Sequence, residues 1–330
     1  CFDKSVFQLN PPLRVGEILL RNVKFSLRSS EIAAAVGGFN FTFCVSKIFH
    51  QRRKPLISPC VARFHLYLRL HRCYAIIHTG GDDVEHKEYI RICDNSTVAV
   101  LFIHGILGTP NHFREFVSLV PQTFSVYNLL LDGHGKSVKD FSKTSMKKWE
   151  EQVTSIVEEL SLTHEKIYIV AHSLGTLLAI EQAVKNKKIC RLFLLAVPLR
   201  LSVKIKMLIN SLKVYFDKIS SNDYQALAAK KCYGIAQDKN PFHYIGWIPR
   251  FLELFAKIRQ TRKLIPLIRI NCAVYQSCKD EMVSRRSIKY IRNNPYILVN
   301  ELNKSGHYYY DKEDFDFLIT EFNKVLTIET

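Results

Sequence analysis

The pattern of hydrophobic and polar positions changes character near residue 82. Before that point the apolar residues keep neither a helical nor a strand period for long. After it, short apolar runs alternate with amphipathic stretches, as in a parallel sheet covered by helices on both faces. Val-Ala-Val-Leu-Phe-Ile at 98–103 reads as a buried central strand. A helix is expected over 110–120, with Pro110 in its first turn, and a strand over 124–131. Residues 145–160 carry Trp149, Val153, Ile156, Val157 and Leu160 at helical spacing. Strands at 166–171 and 191–197 flank a helix at 174–185. The rhythm closes with a strand at 267–276, a helix at 285–293, a strand at 296–302 and a helix at 311–326.

Residues 200–264 interrupt that alternation. They are rich in Lys, Leu, Phe and Tyr, and read as mainly helical. Apolar positions such as Met207, Leu212, Trp247, Phe251 and Leu254 are interspersed with lysines and arginines. We read the segment as a helical cap whose apolar faces bury one another. The other reading is a lid that leans transiently on a lipid surface. The chain therefore divides into a basic N-terminal extension (1–81), a core (82–199 and 265–330) and the cap (200–264).

Charge sharpens this division. The chain holds 47 Lys+Arg against 30 Asp+Glu, a net +17, yet residues 1–80 alone hold 12 against 3. The basicity is concentrated in the N-terminal quarter. Arg52-Arg53-Lys54 before Pro55 reads as a solvated turn, so no nucleic-acid partner is expected. Nine cysteines form no CxxC and no metal-like spacing with histidine, which points to reduced thiols, a cytoplasmic compartment and no metal. No run reaches the ~18 apolar residues of a membrane span. The nearest, 33–45, is broken by two glycines and Asn40.

Candidate chemistry begins where a strand meets a helix. Val170-Ala171-His172-Ser173-Leu174-Gly175 has the strand, sharp turn and helix of a nucleophile elbow, which exposes a strained serine hydroxyl. Ala171 stands where the usual G-x-S-x-G has its first glycine. A serine after a strand is otherwise an ordinary helix cap, so its company matters. His104-Gly105-Ile106 follows the first buried strand, where a loop must supply an oxyanion donor. The expected oxyanion hole is the N–H of Ile106 with the N–H of Leu174. His134, in Asp132-Gly-His-Gly-Lys-Ser137, is expected to organise its loop rather than react.

In this order the motifs resemble the α/β-hydrolase superfamily, above all bacterial carboxylesterases and monoacylglycerol lipases with HGxxG, D-G-H-G-x-S and a serine elbow. The resemblance runs from about residue 85 to the C-terminus. It implies the α/β-hydrolase fold, a mostly parallel central sheet flanked by helices, with a helical cap insertion. The family's chain order of serine, acid, histidine then implies Asp280, just past the strand at 267–276, and His307, after the last strand. Glu281 is the nearest rival to Asp280 and is expected to face solvent.

The resulting expectation is a serine hydrolase acting on small acyl esters through Ser173, His307 and Asp280, without a cofactor. A thioesterase or acyltransferase with the same triad is the first alternative, and a non-catalytic scaffold the second. A peptidase of this fold would want acidic cap residues, and haloalkane or epoxide chemistry an Asp at position 173.

Overall fold

The computed structural model describes residues 86–202, 204–216 and 218–327, all within one compact unit, residues 66–330. The extension expected over 1–81 lies outside the described residues. The described residues form nine strands: β1 (Tyr89–Arg91), β2 (Val98–Ile103), β3 (Ser125–Leu129), β4 (Lys136–Ser137), β5 (Lys166–His172), β6 (Ile189–Leu195), β7 (Ile235–Ala236), β8 (Asn271–Ser277) and β9 (Ile297–Leu302). Seven form one sheet in the order β1-β3-β2-β5-β6-β8-β9. Only β1 runs antiparallel; every other neighbouring pair in that sheet is parallel. The helices are α1 (Arg114–Leu119), α2 (Val138–Lys143), α3 (Met146–Thr163), α4 (Leu174–Lys185), α5 (Ile205–Tyr215), α6 (Tyr224–Cys232), α7 (Ile248–Leu264) and α8 (Lys312–Thr327).

Each central strand is buried on both faces, which explains its unbroken apolar run. Ala99, Leu101 and Ile103 of β2 face a core completed by α3, α4 and α7. Val98, Val100 and Phe102 face a second core built with Phe116 of α1 and Leu318, Phe322 and Leu326 of α8. Phe322 sets its ring 5.2 Å from Phe116 and 5.4 Å from Phe193, in edge-to-face contacts. A buried Phe or Leu of this kind contributes about 1.5–3 kcal/mol through the area it removes from water.

Helix α7 belongs to the stretch read as cap, yet it seats on the core. Leu254 and Ile258 enter the larger apolar cluster. Between them Lys257, 2% exposed, bonds Glu150 of α3 at 2.6 Å and pairs also with Glu181 of α4. Its ammonium is tolerated in the interior because two carboxylates answer it. Arg250 similarly ties the start of α7 to the Ser142 carbonyl at 3.0 Å, and Glu253 of the same helix pairs with its guanidinium.

Three expected elements differ. The helix over 110–120 divides into a 3-10 turn, Pro110–Phe113, and α1, because the Thr109 hydroxyl accepts from Asn111 N–H and tightens the first turn. The strand expected from 267 begins at Asn271, after a 3-10 turn at Ile265–Leu267 that holds Pro266. The helix expected over 285–293 is only a 3-10 turn, Arg285–Tyr290. Asn294 precedes Pro295, which disfavours helical backbone there, and its side chain turns to the carbonyls of Ile265 and Ile268.

Candidate active site

The sheet order reverses around β2, so the carboxyl ends of β2 and β5 border the crevice where open α/β sheets place their sites. Ser173 stands there, between β5 and α4, with φ 50° and ψ −121°. That conformation costs a non-glycine residue about 1–3 kcal/mol and needs support. Support comes from Ser173 N–H donating to Leu195 O (2.9 Å) and from the Thr176 hydroxyl donating to Ser173 O (2.7 Å). Gly175 is required by space: a methyl group on it would strike the carbonyls of Ile103 and His104. Ala171 is accommodated, fully buried in register between Ile103 and Leu194.

The loop after β2 presses on the same serine. A methyl group on Gly105 would come within 2.9 Å of Ser173 Cβ. Two buried histidines hold this loop. His104 Nε2 accepts from Leu131 N–H (3.1 Å), leaving Nδ1–H to donate to Gly105 O (2.8 Å). His134 Nε2 accepts from Leu107 N–H (3.2 Å), while Nδ1 faces the carbonyls of Leu131 and Asp132. Burial holds both rings below the ordinary histidine range, His134 at about 4, so both are neutral and each tautomer is fixed by its acceptor role. His134 thus organises its loop. The Ile106 N–H is bonded to no backbone carbonyl among the described residues. Leu174 N–H, as the first of α4, has no acceptor within the helix.

From the other side comes the loop after β9. His307 is buried, and its Nδ1 lies 2.9 Å from Asp280 Oδ2. The second Asp280 oxygen accepts from Met282 N–H (2.8 Å) and Val283 N–H (2.7 Å). Burial alone would lower the His307 pKa; the adjacent Asp280 charge and hydrogen bond, with Glu281 behind them, raise it above the ordinary value. Its Nε2 has no hydrogen-bond partner among the described residues, Ser173 included. The structure therefore joins Asp280 to His307 and brings the His307 loop against the residue preceding Ser173. It does not join His307 to Ser173 by a hydrogen bond.

Sequence reasoning misplaced one residue here and missed two. Glu281 does not face solvent: it is 6% exposed and its Oε2 accepts from His307 N–H at 3.0 Å. A short loop carrying adjacent carboxylates turns one to the imidazole and the other to the backbone behind it. His172 and His112 were not singled out. His172 Nε2 lies 3.0 Å from His307 O, and its ring stacks on His112 with centroids 4.0 Å apart. The signal for them was slight: a histidine directly before Ser173 and a tyrosine run directly after His307.

The cap reaches this site through a narrow crossing. Gly234 N–H donates to Leu107 O (2.8 Å), and a methyl group on Gly234 would lie 2.5 Å from Gly108 O. Tyr224 of α6 stacks on Tyr309. The expectation that the cap's apolar faces bury one another holds only in part for α5, where Val214 is buried. Ile205, Ile209 and Leu212, together with Phe216 just beyond the helix, recur at helical spacing and are 46–76% exposed. Among the described residues no group of three or more His, Cys, Asp or Glu is arranged to hold a metal ion.

Known proteins resemble this chain in sequence and in fold. The chain is 24% identical over 197 residues to a thermostable monoacylglycerol lipase of Bacillus sp. (strain H-257), covering 58% of this chain and 73% of the lipase. It is 28% identical over 158 residues to a probable alcohol acetyltransferase of Cyberlindnera fabianii, covering 44% of this chain and only 42% of that protein. Among solved structures, one from a study of the metagenome-derived lipolytic enzymes LipS and LipT superimposes with a TM-score of 0.57 at 15% identity, over 73% of this chain and 97% of that one. The monoacylglycerol lipase of Paleococcus ferrophilus gives a TM-score of 0.50 at 17% identity, over 73% and 99%. At such identities the superpositions speak to fold alone. The alpha/beta hydrolase family pattern matches residues 100–312, and with the elbow, the sheet order and the Asp280–His307 pair in place, the chain belongs to the alpha/beta hydrolase family.

Proposed function

We propose that the protein is a serine hydrolase of carboxylic esters, with Ser173 as nucleophile, His307 as general base and Asp280 as the group that fixes its tautomer. The observation that carries this reading is the Asp280–His307 pair lodged beside a serine in a strained strand-to-helix turn. With Nδ1–H donating to Asp280, His307 presents its Nε2 lone pair, the acceptor a serine proton requires. The Ser173–His307 bond forms in the reacting complex, as catalytic bonds in unliganded sites often do. Ser173 Oγ attacks the acyl carbonyl as its proton passes to Nε2, and the oxyanion is held by the N–H groups of Ile106 and Leu174. The alcohol leaves with the proton from Nε2. Water then repeats the sequence on the acyl-enzyme, releasing the acid and free Ser173.

Likeness to a monoacylglycerol lipase and to a probable alcohol acetyltransferase supports an acyl-enzyme that passes its acyl group to water or to an alcohol. The exposed stripe of α5 fits transient contact of the cap with a lipid surface. Unpaired thiols at all five described cysteines fit a reducing, cytoplasmic compartment.

The test is hydrolysis of a chain-length series of p-nitrophenyl acyl esters, with and without an added alcohol, by wild type and Ser173→Ala. Turnover that peaks at one chain length and falls by roughly 10³-fold or more in the variant is expected. Equal rates in both proteins would refute Ser173 as nucleophile. New ester formed with the alcohol would mark a transferase.

A further inference from the structure

Behind the Asp280 loop lies a second cleft of about 440 Å³ that the proposed chemistry does not use. Asp280 forms part of its wall, and Lys204, Arg285, Arg286, Lys289 and Arg292 line it. Two of these cations are occupied. Lys204 Nζ donates to the backbone carbonyl of Asp280 at 2.6 Å, and Arg285 pairs with Glu301. The Asp280 carboxylate is itself spoken for by His307, Met282 and Val283.

The other three cations follow a simple rule of spacing. In a 3-10 helix, residues three apart eclipse one another. Arg286 and Lys289 lie three apart in the turn Arg285–Tyr290, and Arg292 lines the same cleft just beyond its end. The intervening apolar positions, Ile288 and Ile291, point inward, 6% and 1% exposed. The ridge thus sets three positive charges along one edge of the cleft. None has a carboxylate within ion-pair distance among the described residues. Like charges so placed repel one another, and an interior-facing scaffold of Ile288 and Ile291 holds them together regardless. A single carboxylate would answer one of the three, whereas a phosphomonoester or diphosphate answers two or more and matches arginine's fork geometry. The volume suits a small molecule.

We propose that this cleft binds a phosphate-bearing small molecule. Arg286, Lys289 and Arg292 supply the charge. Anion binding here does not rest on the Ser173 reading.

Calorimetric titration of the full chain with inorganic pyrophosphate tests the site without reference to activity. Wild type should bind, more weakly as salt rises, and R286A/K289A/R292A should bind about tenfold more weakly or not at all, with an unchanged melting temperature. Equal binding to both, or none to wild type, overturns the site. Hydrolysis of p-nitrophenyl butyrate should be equal in wild type and variant, which separates loss of the anion site from loss of the fold.

Discussion

In the proposed triad, Asp280 fixes which nitrogen of His307 carries the proton. Its carboxylate raises the imidazole pKa, so protonated His307, which cannot accept from Ser173, persists to higher pH than an ordinary histidine. Activity should therefore climb with pH along a limb set by His307 and lying above the ordinary histidine value of 6.5. In Asp280→Asn the charge is gone, so the limb should move to lower pH while kcat falls by roughly 10⁴-fold. A pH–rate profile of the two proteins checks both; a limb that stays in place would remove Asp280 from the role. The positions of Ser173, Asp280 and His307 were legible because each follows a strand whose apolar run is unmistakable. Glu281 was not: a sequence records that two acids are adjacent, but the turn between Ser277 and Val283 decides which one meets the imidazole. His172 escaped notice for a similar reason, since its partner His112 lies sixty residues away and only the fold stacks them.

Among the elements, α7 and α5 show what amphipathic pattern can and cannot tell. Both carry apolar residues at helical spacing amid lysines and arginines. In α7 those residues meet α3 and α4, and Lys257 is drawn between two carboxylates. In α5 the stripe stays largely exposed. The periodicity is the same, and the difference lies in whether the connecting chain brings a helix to the sheet. If the α5 stripe touches lipid, Leu212→Ser with Phe216→Ser should cut partitioning onto anionic vesicles about tenfold or more, each lost apolar side chain being worth on the order of 1.5–3 kcal/mol when fully buried. Co-sedimentation with vesicles measures it, and hydrolysis of a soluble short-chain ester should hold. Undiminished sedimentation would leave α5 without that role. The longer elements were readable from period; the short β1, β4, β7 and α2 were not, nor were the ends where Asn294 and Pro266 redirect the backbone.

The molecule as a whole carries an unusual load of neutral histidines. His104, His112, His134 and His172 are buried, and desolvation holds each below its ordinary value of 6.5, His112 at about 3 and His134 at about 4. Unfolding frees them to take up protons. Below pH 6.5 the unfolded chain therefore binds more protons than the native one, and stability falls as pH falls, until the folded values near 4 and 3 are reached for His134 and His112. Each contributes on the order of 1.4 kcal/mol per pH unit within its window. His307 has the opposite sign: its raised pKa adds stability as pH falls toward 6.5 and adds nothing further below it. Urea midpoints measured from pH 7.5 to 5 should drop steeply; a flat profile would contradict neutral burial. The fold class itself was legible from the alternation of runs and stripes.

At Gly234 the cap strand passes so close to Gly108 and Thr109 that not even a methyl group fits between them. The Gly234 N–H bond to Leu107 O therefore pins the cap chain one residue from the Ile106 amide. Any side chain at 234 must displace that loop, so a residue of the cap that cannot change is also one that sets where the proposed oxyanion donor sits.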